Sequence, residues 1–148
     1  MNFKTLLMKR SFTITVLAVL FIIAGTSREA SGQRRYVDHS TVEGVSIQYR
    51  WAHSNWLDRS SPLELRLKIK NNNDYPIEIS YVIDFYMGPV HEESSDVTEL
   101  CINPKLAKTG RINGMYYQSS RLSNQQLESD AFIWEIRDLE IDRVESCR

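Results

Sequence analysis

The chain has 148 residues, a formal net charge of -1, 25% charged residues, two cysteines and four prolines. That length suits one domain, and the composition excludes long disorder, collagen-like repeats and a disulfide-dense miniprotein. A near-neutral chain also lacks the overall basic excess expected of a nucleic-acid binder.

The first thirty residues read as an address. Lys4, Lys9 and Arg10 precede an apolar run from Phe12 to Ala24, shorter than the ~20 residues a membrane-spanning helix needs. A cationic start, a short apolar run and then small residues form the layout of a secretory signal peptide. Cleavage is expected after Gly32, with Ala24 or Gly25 as an earlier alternative. The reading is therefore a signal peptide over 1–32, a flexible lead-in over 33–42 and one domain over 43–148. The mature part holds 14 basic and 18 acidic residues, and no stretch of it is apolar enough to span a membrane. Its location is exported, either periplasmic or extracellular.

Cys101 and Cys147 both lie in the mature part. An exported chain with an even number of cysteines pairs them as a rule. A structural disulfide is expected, closing a long loop worth ~4 kcal/mol in the chain-entropy model.

The domain reads as strands. Val45, Ile47, Tyr49 and Trp51 alternate with Ser46, Gln48 and Arg50; Leu63, Leu65, Leu67 and Ile69 alternate with Glu64, Arg66, Lys68 and Lys70. Strict period-two patterning marks a strand with one buried face, so Glu64 and Lys68 are expected to face water. Asn71-Asn72-Asn73-Asp74 is a turn signal. After Pro76, Ile77 to Met87 carries apolar residues at every second position. The two runs are expected to pair as a hairpin at the centre of the core. Val90 to Asp96 reads as an acidic loop, 97–102 as a short strand and 104–111 as a basic loop. A strand is expected over 115–118, a helical turn within 122–130, and a last strand over 131–137 continuing past a break at Asp138. About seven short strands without a long helix make an antiparallel β-sandwich.

The run Leu63-Glu-Leu-Arg-Leu-Lys-Ile-Lys-Asn71, a polar turn, then Pro76-Ile-Glu-Ile-Ser-Tyr resembles immunoglobulin-like sandwich modules of exported bacterial proteins. The mature chain also looks like small exported proteins of Bacteroidetes type. The resemblance implies an immunoglobulin-like fold and no activity, since fold alone supplies no function.

No reaction is written in the residues. His39, His53 and His91 have no second histidine or cysteine at ligand spacing, His91-Glu92-Glu93 with Asp96 lacks a calcium-loop pattern, and no nucleophile motif or glycine-rich phosphate loop occurs. The expectation is no metal, no cofactor and no enzymatic activity. Asp138, Glu140 and Asp142 read as a solvated strand face.

The informative segment runs from Arg50 to Arg59, with Trp51, His53 and Trp56 between. Sandwich modules bind through such end loops, and Trp and Arg are enriched in binding hot spots. The competing structural reading buries Trp51 in its strand and makes Trp56 a cap on the sandwich. Tyr116-Tyr117 is a second aromatic pair, of which one side chain faces inward. The candidate binding residues are therefore Trp56, His53, Arg50, Arg59, Tyr116 and Tyr117. The expected function is a non-enzymatic exported module that binds a protein or cell-envelope partner. The alternative is a carbohydrate-binding module using Trp56 with Tyr116 or Tyr117.

Overall fold

A computed structural model describes residues 35–147; the expected signal peptide, its expected cleavage site and the first residues of the lead-in lie outside them. The described residues form an all-β antiparallel sandwich of nine strands. These are β1 (Val37–Val42), β2 (Val45–His53), β3 (Leu63–Asn71), β4 (Ile77–Met87), β5 (Val90–Ser94), β6 (Thr98–Ile102), β7 (Ala107–Thr109), β8 (Tyr116–Tyr117) and β9 (Phe132–Arg143). The expected helical turn is α1 (Asn124–Leu127), capped by Ser123 and Gln126 in a reciprocal capping box.

Each sheet is organised on one long strand. In the first sheet β1, β2 and β3 lie side by side. The far edge of β3 is covered by two short strands in tandem: β7 opposite Lys68–Lys70 and β8 opposite Leu65–Arg66. In the second sheet β9 runs along one edge of β4. The other edge takes β5 opposite Asp84–Met87 and β6 opposite Ile77–Tyr81.

The period-two patterns orient these strands as the alternation requires. Leu63, Leu65, Leu67 and Ile69 are fully buried, as are Ile77, Ile79 and Ile83. Tyr49, Trp51, Tyr81, Phe85 and Trp134 complete the layer between the sheets. The rings of Trp51, Phe85 and Phe132 meet at one end, with centroids 5.6 to 6.4 Å apart.

Four expectations change. First, β3 and β4 are not a hairpin, because they belong to opposite sheets. Their apolar faces look into one core from two sides, so the chain crosses over at 71–76. The buried Asn71 side chain ties that corner, donating to Tyr75 O (2.8 Å) and Ile102 O (3.0 Å) and accepting from Asn73 N (2.9 Å). Second, residues 37–42 of the lead-in are strand β1. They pair with β2 through a tight turn in which Glu43 (φ 49°) and Gly44 (φ 77°) are both left-handed. His39 stacks on Trp134 at 4.6 Å. Third, the acidic and basic loops contain β5 and β7, short polar strands held by the backbone of β4 and β3 rather than by apolar burial. Fourth, Glu64 faces outward yet is completely buried.

The C-terminal part behaves as its sequence suggests. Strand β9 continues through Asp138, whose φ is 51° where the register against β4 shifts. Beyond it, Cys147 is disulfide-bonded to Cys101 of β6 with a Cα–Cα distance of 5.4 Å. No described helix is long and apolar enough to cross a membrane.

Candidate binding surfaces

The loop from 54 to 62 connects β2 to β3 at the end of the sandwich where the Trp51 cluster lies. Its backbone is cross-tied. Ser54 N donates to Pro62 O, Asp58 N to Asn55 O, and Ser61 N to Asp58 O. Asn55 Oδ1 accepts from Leu57 N, Asp58 Oδ1 from Ser60 N, and Ser61 Oγ donates to Asp58 O at 2.6 Å. These Asn, Asp and Ser side chains bond to nearby main chain, the local pattern that fixes turns. Ser60 also holds the Asp58 carboxyl below its ordinary value. His53 Nδ1–H donates to Ser61 O at 2.9 Å, so the imidazole anchors the base of the loop. Asn124 of α1 spans Ser61 O and Leu63 N from the other side.

This frame displays its apolar residues to solvent. Trp56 is 84% exposed and Leu57 72% exposed. The capping role for Trp56 is therefore overturned: a turn, not a strand, carries this tryptophan, and no core face lies beneath it. Trp51 is buried, as its strand phase requires. Arg59 is exposed on the same loop.

The remaining candidates stand elsewhere. Arg50 is on the outer face of the first sheet, stacked over Tyr36 at 4.9 Å. Tyr117 points inward and is buried. Its hydroxyl donates to Tyr81 Oη at 2.7 Å and lies 2.9 Å from Thr98 Oγ1, and burial pushes its pKa up. It offers no flat ring to a sugar, which corrects its inclusion as a stacking platform. Tyr116 faces outward, half exposed, beneath the guanidinium of Arg111 at 5.2 Å.

A cleft of about 280 Å³ opens on the lateral edge of the sandwich. Its walls are Glu93, Ser94, Ser95, Asp96 and Thr98 of the β5–β6 connection, facing Tyr116, Tyr117 and Gln118 at β8. Burial would raise the pKa of Glu93. Hydrogen bonds from Ser119 Oγ (2.6 Å), Ser120 Oγ (2.7 Å) and Ser120 N (3.0 Å) outweigh that and hold it below its ordinary value. Asp96, Thr98 and Gln118 have no motif that would have marked them, because the cleft is assembled by strands distant in the chain.

Two further constellations bring charged side chains together. Asp84, His91 and Ser94 stand together on the outer face of the second sheet. His91 Nε2 lies 3.0 Å from Ser94 Oγ and 3.7 Å from Asp84 Oδ1. One ring nitrogen thus faces both partners, whereas a Ser–His–Asp relay needs a different nitrogen for each. Burial opposes ionisation of Asp84, but Arg137, bonded at 2.6 Å, wins and keeps its pKa below the ordinary value. On the outer face of the first sheet, Glu64 receives Arg66 Nε at 2.6 Å and both Nε and Nη2 of Arg111 at 2.8 Å. That clamp fastens the turn at 110–114 over the sheet, which is how an outward residue becomes buried. Among the described residues, no group of three or more His, Cys, Asp or Glu side chains is placed to hold a metal ion.

Comparisons with protein-family models, with curated proteins and with solved structures return no match for this chain.

Proposed function

We propose that this chain is an exported, non-enzymatic immunoglobulin-like module that binds a protein or cell-envelope partner through the loop at 54–62. The carrying observation is the display of Trp56 and Leu57, 84% and 72% exposed, on a hydrogen-bonded loop. An ordered apolar pair in water is a contact whose ordering entropy is lost before the partner arrives, the property that makes rigid aromatic anchors effective. Export is supported by the Cys101–Cys147 disulfide, since such bonds persist in oxidising compartments, and by the leader pattern over residues 1–32.

A photo-crosslinking residue at position 56 tests the reading in the native cell envelope, with the same residue at position 105 as control. A crosslinked species at 56 and none at 105 is expected, and Trp56→Ala should abolish co-purification without changing the melting temperature. Equal co-purification by Trp56→Ala overturns it.

Carbohydrate binding is the second reading, favoured by the cleft, where Tyr116, Asp96, Gln118 and the hydroxyls of Ser95 and Thr98 converge. A glycan array separates the two: Asp96→Asn would then abolish binding and Trp56→Ala would not.

A further inference from the structure

The outer face of the first sheet carries five cations: Arg50 on β2, Arg66, Lys68 and Lys70 on β3, and Arg111 from the turn folded over it. Both carboxylates on that face are engaged. Glu64 is clamped between Arg66 and Arg111, and Asp38 accepts from Gln48 Nε2 at 2.7 Å. Arg50, Lys68 and Lys70 are left over: among the described residues no carboxylate is within ion-pairing reach of any of them. Two of the three are held against one ring instead, Arg50 at 4.9 Å and Lys68 at 6.0 Å from the centre of Tyr36.

Two features of this arrangement are unfavourable in the free protein. Arg50 is directly opposite Arg66 in the β2–β3 register, and like charges facing each other across a strand pair destabilise it. Arg50 Nε is also buried without a hydrogen-bond partner, one of two such side-chain atoms among the described residues. Arg66 cannot share its compensation, because its donors go to Glu64 Oε1 and to His53 O.

We propose that Arg50 and Lys68, with Tyr36, form a phosphate-binding site on this face. A phosphate ion or monoester carries close to two negative charges and several strong acceptor oxygens, which matches the two uncompensated cations held at Tyr36, one of them a guanidinium suited to oxyanions. A single carboxylate would neutralise only one of them. The phosphate is either free, as an ion or monoester, or the terminal monoester of a lipid headgroup such as phosphatidic acid; a diester headgroup carries a single charge and fits no better than a carboxylate.

Inorganic phosphate is titrated against chloride at constant ionic strength, following the melting temperature and the Nε–H resonance of Arg50. A saturable rise in melting temperature with a shift of that resonance is expected, because a ligand bound only by the folded state stabilises it. Arg50→Gln should weaken binding by about tenfold or more, given the strength of hydrogen bonds to charged groups, while the ligand-free variant melts no lower than the parent. Lys105→Gln, remote on the Asp74 ion pair, should bind as the parent does. Flotation with phosphatidic acid vesicles, against phosphatidylcholine vesicles, assigns the source: co-flotation lost in Arg50→Gln makes the site a headgroup site. Absence of both responses, or equal losses in Arg50→Gln and Lys105→Gln, overturns the proposal.

Discussion

Replacing Glu64 by Gln removes one negative charge from a position with no solvent access while keeping the side chain's shape. The carboxylate accepts three charge-assisted hydrogen bonds, from Arg66 at 2.6 Å and from Arg111 at 2.8 Å twice. In the variant, the amide NH2 must face a guanidinium donor. Two limits bracket the effect. Exposed ion pairs contribute ~0–1 kcal/mol, and breaking a buried pair costs ~3–5 kcal/mol. Glu64 is wholly buried, whereas the side chains of Arg66 and Arg111 keep 17% and 47% of their exposure, so water recovers part of the loss. A destabilisation of about 2–4 kcal/mol follows, a large share of the ~5–15 kcal/mol that holds a domain folded. Urea unfolding followed by tryptophan emission measures it, with Lys70→Gln on the same face as the control expected within about 0.5 kcal/mol. If Glu64→Gln matches that control, the clamp is not what secures the 110–114 turn.

Four other outcomes are expected. Leu67→Ala, in the fully buried centre of β3, should cost ~2–5 kcal/mol in the same unfolding assay. Reducing Cys101–Cys147 should lower the melting temperature, with ~4 kcal/mol as the chain-entropy estimate, and thiol titration of the unfolded, unreduced chain should find no free thiol. Asp84 and Glu93 have depressed pKa values. Their stabilisation is complete above the unfolded carboxylate range near ~4 and is lost as pH falls through the lower folded values; Asp84→Asn should flatten that acid limb of stability against pH. Acrylamide should quench one accessible tryptophan population, and Trp56→Ala should remove it, because Trp51 and Trp134 are buried.

What the sequence discloses of this fold is what repeats within a strand. Leu63 to Ile69 announces both its conformation and its buried face, and the structure places those residues accordingly. The partner of a strand is not local information. The pattern that finds β3 and β4 is the same whether they pair or face each other across a core, and only the corner at Asn71 decides. β1, β5 and β7 lack apolar alternation because a long neighbouring strand supplies their backbone partners. Glu64 is disguised for a related reason: the arginine that covers it is 47 residues away. Trp51 and Trp56 are the same residue type five positions apart, and strand phase reaches only the first. The basic face was legible in the alternation of Arg66, Lys68 and Lys70, but the near-neutral total charge concealed it.

The Glu64–Arg111 clamp and the Cys101–Cys147 bond join residues 47 and 46 positions apart, and their spans interleave over residues 101–111. Lys105 is at the exposed tip of that shared stretch, where loop tips are most open to proteases. A tryptic cut there leaves β1 to β6 on one fragment and β7 to β9 on the other. Both tethers cross the cut, and β9 still lies along β4. The nicked protein should therefore keep its shape as a two-chain molecule that migrates as one species until a reductant is added.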